Sequence, residues 1–154
     1  MLIIQIFAII LLLVLIFWLA SHLFSSIFTA PVVSSAQNAV LDSLSLAEPK
    51  KGETILDLGS GDGSALIVAV KKFGLSGIGI EISPFFYFWS KIKIALAGES
   101  KNIKIYFGDF KKHTNIIKKA DIIYLYMLNS ILAEIETWLF STITTKTRIV
   151  VLAF

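Results

Sequence analysis

Hydrophobic positions change character twice along this chain. From Leu2 to Ala20 they are continuous: Gln5 is the only polar side chain there, and no Asp, Glu, Lys or Arg occurs before Asp42. From Ser34 to Ala47 they become helical, with Ala36, Ala39, Val40, Leu44 and Ala47 recurring on one face until Pro49 ends the run. From Thr54 onward, short apolar runs alternate with longer mixed stretches.

In that last part the run Thr54 to Ser60 reads as a strand that breaks into glycines, and Ser64 to Phe73 as a helix capped by Gly74. Leu75 to Ile82 repeats the strand pattern. Ser83 and Pro84 suit the N-cap and first position of a helix from Phe85 to Ala97, closed by Gly98. Asn102 to Phe107, Asp121 to Leu128 and Arg148 to Phe154 are the third, fourth and fifth strands, with short helices in the gaps. Apolar strands alternating with helices predict a parallel sheet covered on both faces. The fold class is therefore α/β: a doubly wound, mostly parallel, Rossmann-like sheet of five strands, preceded by one transmembrane helix. The chain divides into an anchor (1–24), a linker with a lead-in helix (25–50) and a ligand-binding domain (51–154).

The anchor follows from length. A hydrocarbon core of roughly 30 Å needs about 20 apolar residues at the helical rise. A signal peptide would begin with basic residues and have a shorter apolar stretch, whereas no lysine or arginine precedes this run. Trp18 and His22 stand near its end, where amphipathic rings suit the interface. All basic residues follow the segment, so the expected orientation is single-pass with the globular part on the cytoplasmic, or in an organelle the matrix, side.

Composition agrees with one element outside water: 56% of the 154 residues are hydrophobic and 16% charged. The chain lacks cysteine, which excludes a disulfide framework, a thiolate metal site or a cysteine nucleophile; no metal site is expected. The net charge of +3 comes from lysine pairs, Lys50-Lys51, Lys71-Lys72, Lys111-Lys112 and Lys118-Lys119, spread along the chain. That distribution suits solvated faces and an anionic membrane surface better than a nucleic-acid groove, so the expected partner is the membrane and not a nucleic acid.

The candidate chemistry lies in Asp57-Leu58-Gly59-Ser60-Gly61-Asp62-Gly63-Ser64, at the carboxyl end of the first strand. Ligands of open α/β sheets sit outside the strand carboxyl ends, and glycines let backbone approach them. Two further acids fall at successive strand ends. Glu81, some 20 residues beyond the loop, is placed to accept hydrogen bonds from ribose hydroxyls; Asp109, in Gly108-Asp109-Phe110, is placed to accept one from an adenine amino group. Singly, each acid is as readily a cap or an exposed strand-end charge. Together they indicate an adenosine-bearing ligand. The dinucleotide fingerprint would need its third small residue where Ser64 stands, and no Gly-Lys-Ser/Thr of a P-loop follows. D-x-G-x-G-x-G, with its leading acid, fits a ligand with a cationic or amino-bearing end, and S-adenosylmethionine has both a sulfonium and an amino group.

These residues resemble the class I S-adenosylmethionine-dependent methyltransferases, and among them the small membrane-anchored lysine methyltransferases of the ATP synthase c-subunit and their prokaryotic relatives. The resemblance is carried by the anchor, APVVSS (Ala30 to Ser35), DLGSGDGS, GIGIEISP (Gly77 to Pro84), FGDF (Phe107 to Phe110), ADIIYLYML (Ala120 to Leu128) and TRIVVLAF (Thr147 to Phe154). It implies S-adenosyl-L-methionine as cofactor, with Asp57, Gly59, Ser60, Gly61 and Gly63 around its methionine part, Glu81 at the ribose, and Asp109 and Phe110 at the adenine. It also implies methyl transfer to a lysine of a membrane-associated protein. The chain departs from the family pattern at Val32 and Val33, where an aromatic residue commonly helps form the lysine channel. It also stops on its fifth strand, without the further antiparallel pair of the general fold.

Methyl transfer is an in-line displacement, so the enzyme mainly positions and desolvates its nucleophile. Asp62, Tyr126 and Asn129 are the candidates to face the acceptor, though Tyr124 and Tyr126 also suit buried strand positions. No N-P-P-Y motif follows the fourth strand; Tyr126-Met127-Leu128-Asn129 stands there, which disfavours an adenine or glutamine acceptor. Two other readings stay open: a cofactor-binding, catalytically degenerate partner protein, and a methyltransferase of a small molecule or lipid.

Overall fold

The computed structural model describes residues 1–28 and 37–153. The expectations attached to Ala30 through Ser35, including Val32 and Val33, lie outside the described residues.

The element order is α1 (Leu2–Phe28), α2 (Gln37–Ser45), β1 (Thr54–Leu58), α3 (Ser64–Phe73), β2 (Ser76–Glu81), α4 (Pro84–Leu96), β3 (Ile103–Phe107), a 3-10 turn (Phe110–Lys112), α5 (Thr114–Ile117), β4 (Ile122–Met127), α6 (Asn129–Thr142) and β5 (Arg148–Ala153). The strands form one sheet in the order β3-β2-β1-β4-β5, and every pairing is parallel. This is the expected doubly wound, Rossmann-like sheet. The gap between β4 and β5 is filled by a helix of 14 residues, longer than the short helices expected. Its buried positions Ile135, Leu139 and Thr142 recur at helical spacing, a signal diluted in the sequence by exposed apolar residues such as Phe140.

Two layers of core hold the sheet. On one face Val40 and Leu44 of α2, Leu66 and Ala69 of α3 and Ile94 of α4 pack on Ile55, Ile122 and Tyr124. On the other, Ile117 of α5 and Ile135 and Leu139 of α6 pack on Leu56, Leu58, Ile80, Ile123 and Leu125. β1 is covered by both layers, which explains its unbroken apolar character. β3 is a sheet edge and leaves Lys104, Tyr106 and Phe107 exposed.

α3 ends at Gly74 in the left-handed conformation, its N–H bonded to the Val70 carbonyl. Ser83 caps α4, its hydroxyl accepting from the Phe86 N–H, with Pro84 in the first turn. Both terminators stand where the sequence places them.

α1 is a helix long and apolar enough to cross a membrane by length and composition: its stretch Leu2–Ser21 has 20 residues, exposed from Leu2 to Ala20 and buried at Ser21. Among the described residues it touches the domain through Phe17 and Ser21. The Ser21 and Ser83 hydroxyls hydrogen-bond to each other, the Phe85 N–H donates to Ser21 Oγ at 3.3 Å, and the rings of Phe17 and Phe85 lie 6.3 Å apart.

Candidate functional site

Helices α3 and α4 connect strands running outward from β1 in one direction, whereas β4 and β5 lie on its other side. The crossover direction therefore reverses between β1 and β4, and a crevice opens at their carboxyl ends. Asp57 stands at that point, in register with Gly79 of β2 and Tyr124 of β4.

The Asp57 side chain is 4% exposed and has no hydrogen bond from the protein among the described residues. Burial pushes its carboxyl up to about 8, and the charges of Glu81 and Asp62 add to the effect. A buried acid without a partner is costly. It is tolerated where a cationic ligand completes it.

The loop beyond Asp57 is held by its own hydrogen bonds. Gly59 N–H and Ser60 N–H both donate to the Ile80 carbonyl, at 2.9 and 3.1 Å, and Gly63 N–H donates to the Ser60 carbonyl at 2.9 Å. Gly61 N–H donates to Glu81 Oε2 at 2.7 Å, and Ser64 N–H to Asp62 Oδ1 at 3.0 Å. Loops that cradle phosphate instead point such N–H groups at the anion. Here those donors are spent internally and the groups left facing the crevice include the acids Asp57 and Glu81, so the site suits a cationic ligand better than a phosphate.

The glycines have separate reasons. Gly59 has φ +82, and a Cβ built on it meets nothing within 4 Å, so its face is open to a ligand. Gly63 has φ +76, and a Cβ there would lie 3.2 Å from Ile94 Cδ1; it lets α4 pack against the loop. Gly79, in the middle of β2, is the position packed behind the loop that sequence reasoning missed. A Cβ there would come within 2.5 Å of Ser60 Oγ and 2.6 Å of Ile105 Cδ1, so Ser60 is seated where a side chain would otherwise stand. The Ser60 hydroxyl is buried and has no hydrogen-bond partner among the described residues. The only hint was a strand alternating glycine with isoleucine.

Glu81 is also buried, 4% exposed. Its Oε1 accepts from Ser83 N–H at 2.7 Å while Oε2 holds Gly61, so one carboxylate joins the loop to the start of α4. Burial raises its pKa against the opposing effect of these hydrogen bonds. Each oxygen retains a second lone pair for a ligand hydroxyl.

Asp109 is half-buried at the end of β3 and accepts from Lys111 N–H at 2.9 Å, capping the 3-10 turn. The Phe110 ring is directed into the core, 5.8 Å from that of Trp138. Asp62 is turned toward α4: Lys93 Nζ lies 2.6 Å from its Oδ2 and 2.5 Å from Ser64 Oγ. Burial pushes the Asp62 carboxyl up, but hydrogen bonds from Lys93 and Ser64 outweigh it and hold the net value below the usual range. Tyr126 is half-buried near the end of β4, and Asn129 is exposed at the first turn of α6, on the same sheet edge as Asp57. The structure thus brings Asp57, Glu81 and the loop together, leaves Asp109 at the rim, and ties Asp62 to Lys93. Among the described residues no group of acids and histidines could hold a metal.

The family model of the ANTKMT methyltransferase domain matches residues 57–154. The chain is similar to the ATP synthase c-subunit lysine N-methyltransferase of Homo sapiens, 26% identical over 92 residues that make up 56% of this chain and 39% of that protein. Against the protein of the same name from Mus musculus it is 27% identical over 92 residues, 56% of this chain and 36% of the other. It thus spans less than half the length of these relatives. Among solved structures it is similar to an RNA methyltransferase from Salinibacter ruber in complex with S-adenosyl-L-homocysteine, with a TM-score of 0.73, 29% identity, and 77% of this chain and 76% of that one covered. A SAM-dependent methyltransferase from Thiobacillus denitrificans, also in complex with S-adenosyl-L-homocysteine, shares the fold with a TM-score of 0.60 at 24% identity, over 73% of this chain and 47% of that one.

Proposed function

The chain belongs to the ANTKMT methyltransferase domain family and its cofactor is S-adenosylmethionine; from that premise we propose that it methylates a lysine of a membrane-associated protein. One observation carries the cofactor site: Asp57, buried and without a hydrogen bond from the described residues, at the point where the sheet reverses direction.

The residues fit the cofactor. Asp57 would take its ammonium or sulfonium end, since either cation restores the charge balance that burial denies the carboxylate. The open face of Gly59 and the buried Ser60 hydroxyl would line the methionine part, with Gly61 and Gly63 shaping the loop. Glu81 would accept ribose hydroxyls on its free lone pairs, and Asp109 with the backbone at Phe110 would border the adenine. When bound, the cofactor supplies a methyl carbon already activated by its sulfonium, so no metal is required. The chain positions the acceptor and keeps water away. Tyr126 and Asn129 stand on the edge an acceptor approaches; Asp62, neutralised by Lys93, serves the loop instead.

An acceptor lysine must shed a proton, since its ordinary pKa is about 10.4. Desolvation beside the sulfonium lowers that value. The relatives' name supports lysine as the acceptor, and α1 supports a membrane neighbourhood: a predominantly apolar anchor of 20 residues would keep the domain in the two-dimensional vicinity of its substrate. The globular domain would then face the cytoplasm or matrix.

Incubation of the full chain with native membranes and methyl-labelled S-adenosylmethionine tests this. Label is expected in protein, on lysine after hydrolysis. Label in lipid or RNA, or binding without any labelled product, would overturn the assignment.

A further inference from the structure

The sequence of α4, PFFYFWSKIKIAL, is more apolar than a helix with only one buried face requires. Phe86, Ser90 and Ile94 are its buried positions. Away from them Phe88 is 59% exposed, Trp89 47%, Ile92 52% and Leu96 84%. With half-buried Phe85, these residues follow one another at helical spacing and form a single stripe directed away from the sheet.

Lysines flank the stripe. Lys91 lies on one side, its Nζ 5.1 Å from the centre of the Tyr87 ring, and Lys93 on the other, held by Asp62. The Tyr87 ring in turn packs on Phe107 at 5.5 Å, and Lys104 of the neighbouring β3 is exposed. The stripe starts where the anchor ends. Ser83 and Phe85, at the N-terminus of α4, touch Ser21 and Phe17 of α1, and Ser21 directly follows the apolar run that closes at Ala20.

We propose that α4 is a second membrane contact, lying in the lipid interface with Phe85, Phe88, Trp89, Ile92 and Leu96 in the acyl boundary. Exposed Lys91 on its flank and Lys104 beyond it meet anionic headgroups. Aromatic and aliphatic residues on one face with lysines at its margins are the pattern of a helix lying about 5–10 Å into the interface. Contact with α1 brings the start of α4 to the depth where the spanning stretch ends, so lipid is already at hand to cover the stripe. Since Glu81 bonds to Ser83 at the same end, the cofactor loop is fixed relative to the bilayer surface as well as tethered to it. This proposal rests on α1 being a membrane anchor.

The chain has three tryptophans, Trp18, Trp89 and Trp138, and replacing two of them by phenylalanine leaves one reporter at a time. Each full-length form is reconstituted in vesicles of phosphatidylcholine and phosphatidylglycerol carrying bromine near the top of the acyl chains. Trp18 and Trp89 are expected to lose intensity by about twofold or more relative to unbrominated lipid, and Trp138, on the other face of the sheet, to keep it. Phe88→Asp with Ile92→Asp should abolish the loss at Trp89 while leaving that at Trp18 and the binding of S-adenosylmethionine unchanged. Quenching at Trp18 without quenching at Trp89 would overturn the interfacial role of α4 and leave the anchor standing. Quenching at neither would overturn both. Blue-shifted, unquenched Trp89 emission with cross-links between copies would overturn the lipid contact in favour of a protein one.

Discussion

Asp57→Asn separates stability from binding, because the two should move in opposite directions. The Asp57 carboxyl has a pKa near 3.8 in an unfolded chain and about 8 in the folded, ligand-free protein, chiefly through burial. For a group whose folded value is raised, its contribution to stability is fully present below the unfolded pKa and is lost as pH rises through the folded one. The resulting penalty is about 3 kcal/mol at pH 6 and about 5 kcal/mol at pH 8, with little further growth above that. Asparagine has the same shape and no charge to bury. The ligand-free variant should therefore melt higher than the parent at pH 8, and its advantage should grow by about 2 kcal/mol between pH 6 and 8. Its affinity for S-adenosylmethionine should fall about 10- to 100-fold, the worth of a charge-assisted hydrogen bond. Thermal melts across that pH range and titration calorimetry, both on the full chain in detergent, read the two effects. A variant that melts lower at pH 8, or whose advantage does not change with pH, would refute the burial of this carboxyl without a partner.

Other expectations follow from the same geometry. At pH 7 a carboxyl with a pKa of about 8 is mostly protonated, so binding of the cationic cofactor should release close to one proton, vanishing by about pH 9; calorimetry in buffers of different ionisation enthalpy measures it. Glu81→Gln can accept from only one of the Gly61 and Ser83 N–H groups, and an amide facing the other should destabilise the protein by about 1–3 kcal/mol and weaken cofactor binding, read by denaturant melts. Gly79→Ala places a methyl against Ser60 and Ile105 and should cost about 1–3 kcal/mol together with affinity, whereas Gly98→Ala, open but at φ +79, should cost about 1 kcal/mol and leave affinity alone. Lys93→Met removes an ion pair whose side chains are 39% and 20% exposed, so stability should change by no more than about 1 kcal/mol while the Asp62 pKa rises, measurable by carboxyl NMR.

Much of this fold is written locally. α3 spans Ser64–Phe73 as its pattern indicates, and Gly74, Ser83 and Pro84 act where their types suggest, because caps depend on neighbours in sequence. The placement of Asp57 and Glu81 at strand ends was likewise legible, since a carboxylate closing an apolar run marks the point where the strand leaves the core. What escaped depends on distant pairs. Gly79 looks like an ordinary strand glycine until Ser60 is laid over it, and Asp62 looks available until α4 brings Lys93 to it. Phe110 follows Asp109 in the strand-end motif, yet its ring is drawn into the core by Trp138, and only the packing of α6 reveals that. Contact between Ser21 and Ser83 joins residues 62 positions apart, and nothing in either segment alone announces it.

If the crevice at Asp57 holds S-adenosylmethionine, titration of the folded full chain with that cofactor shows it most directly. Saturable binding at one site is expected, weakened about 10-fold or more in Asp57→Asn. Absence of binding to folded protein, or equal affinity in the variant, would contradict the assignment of this crevice.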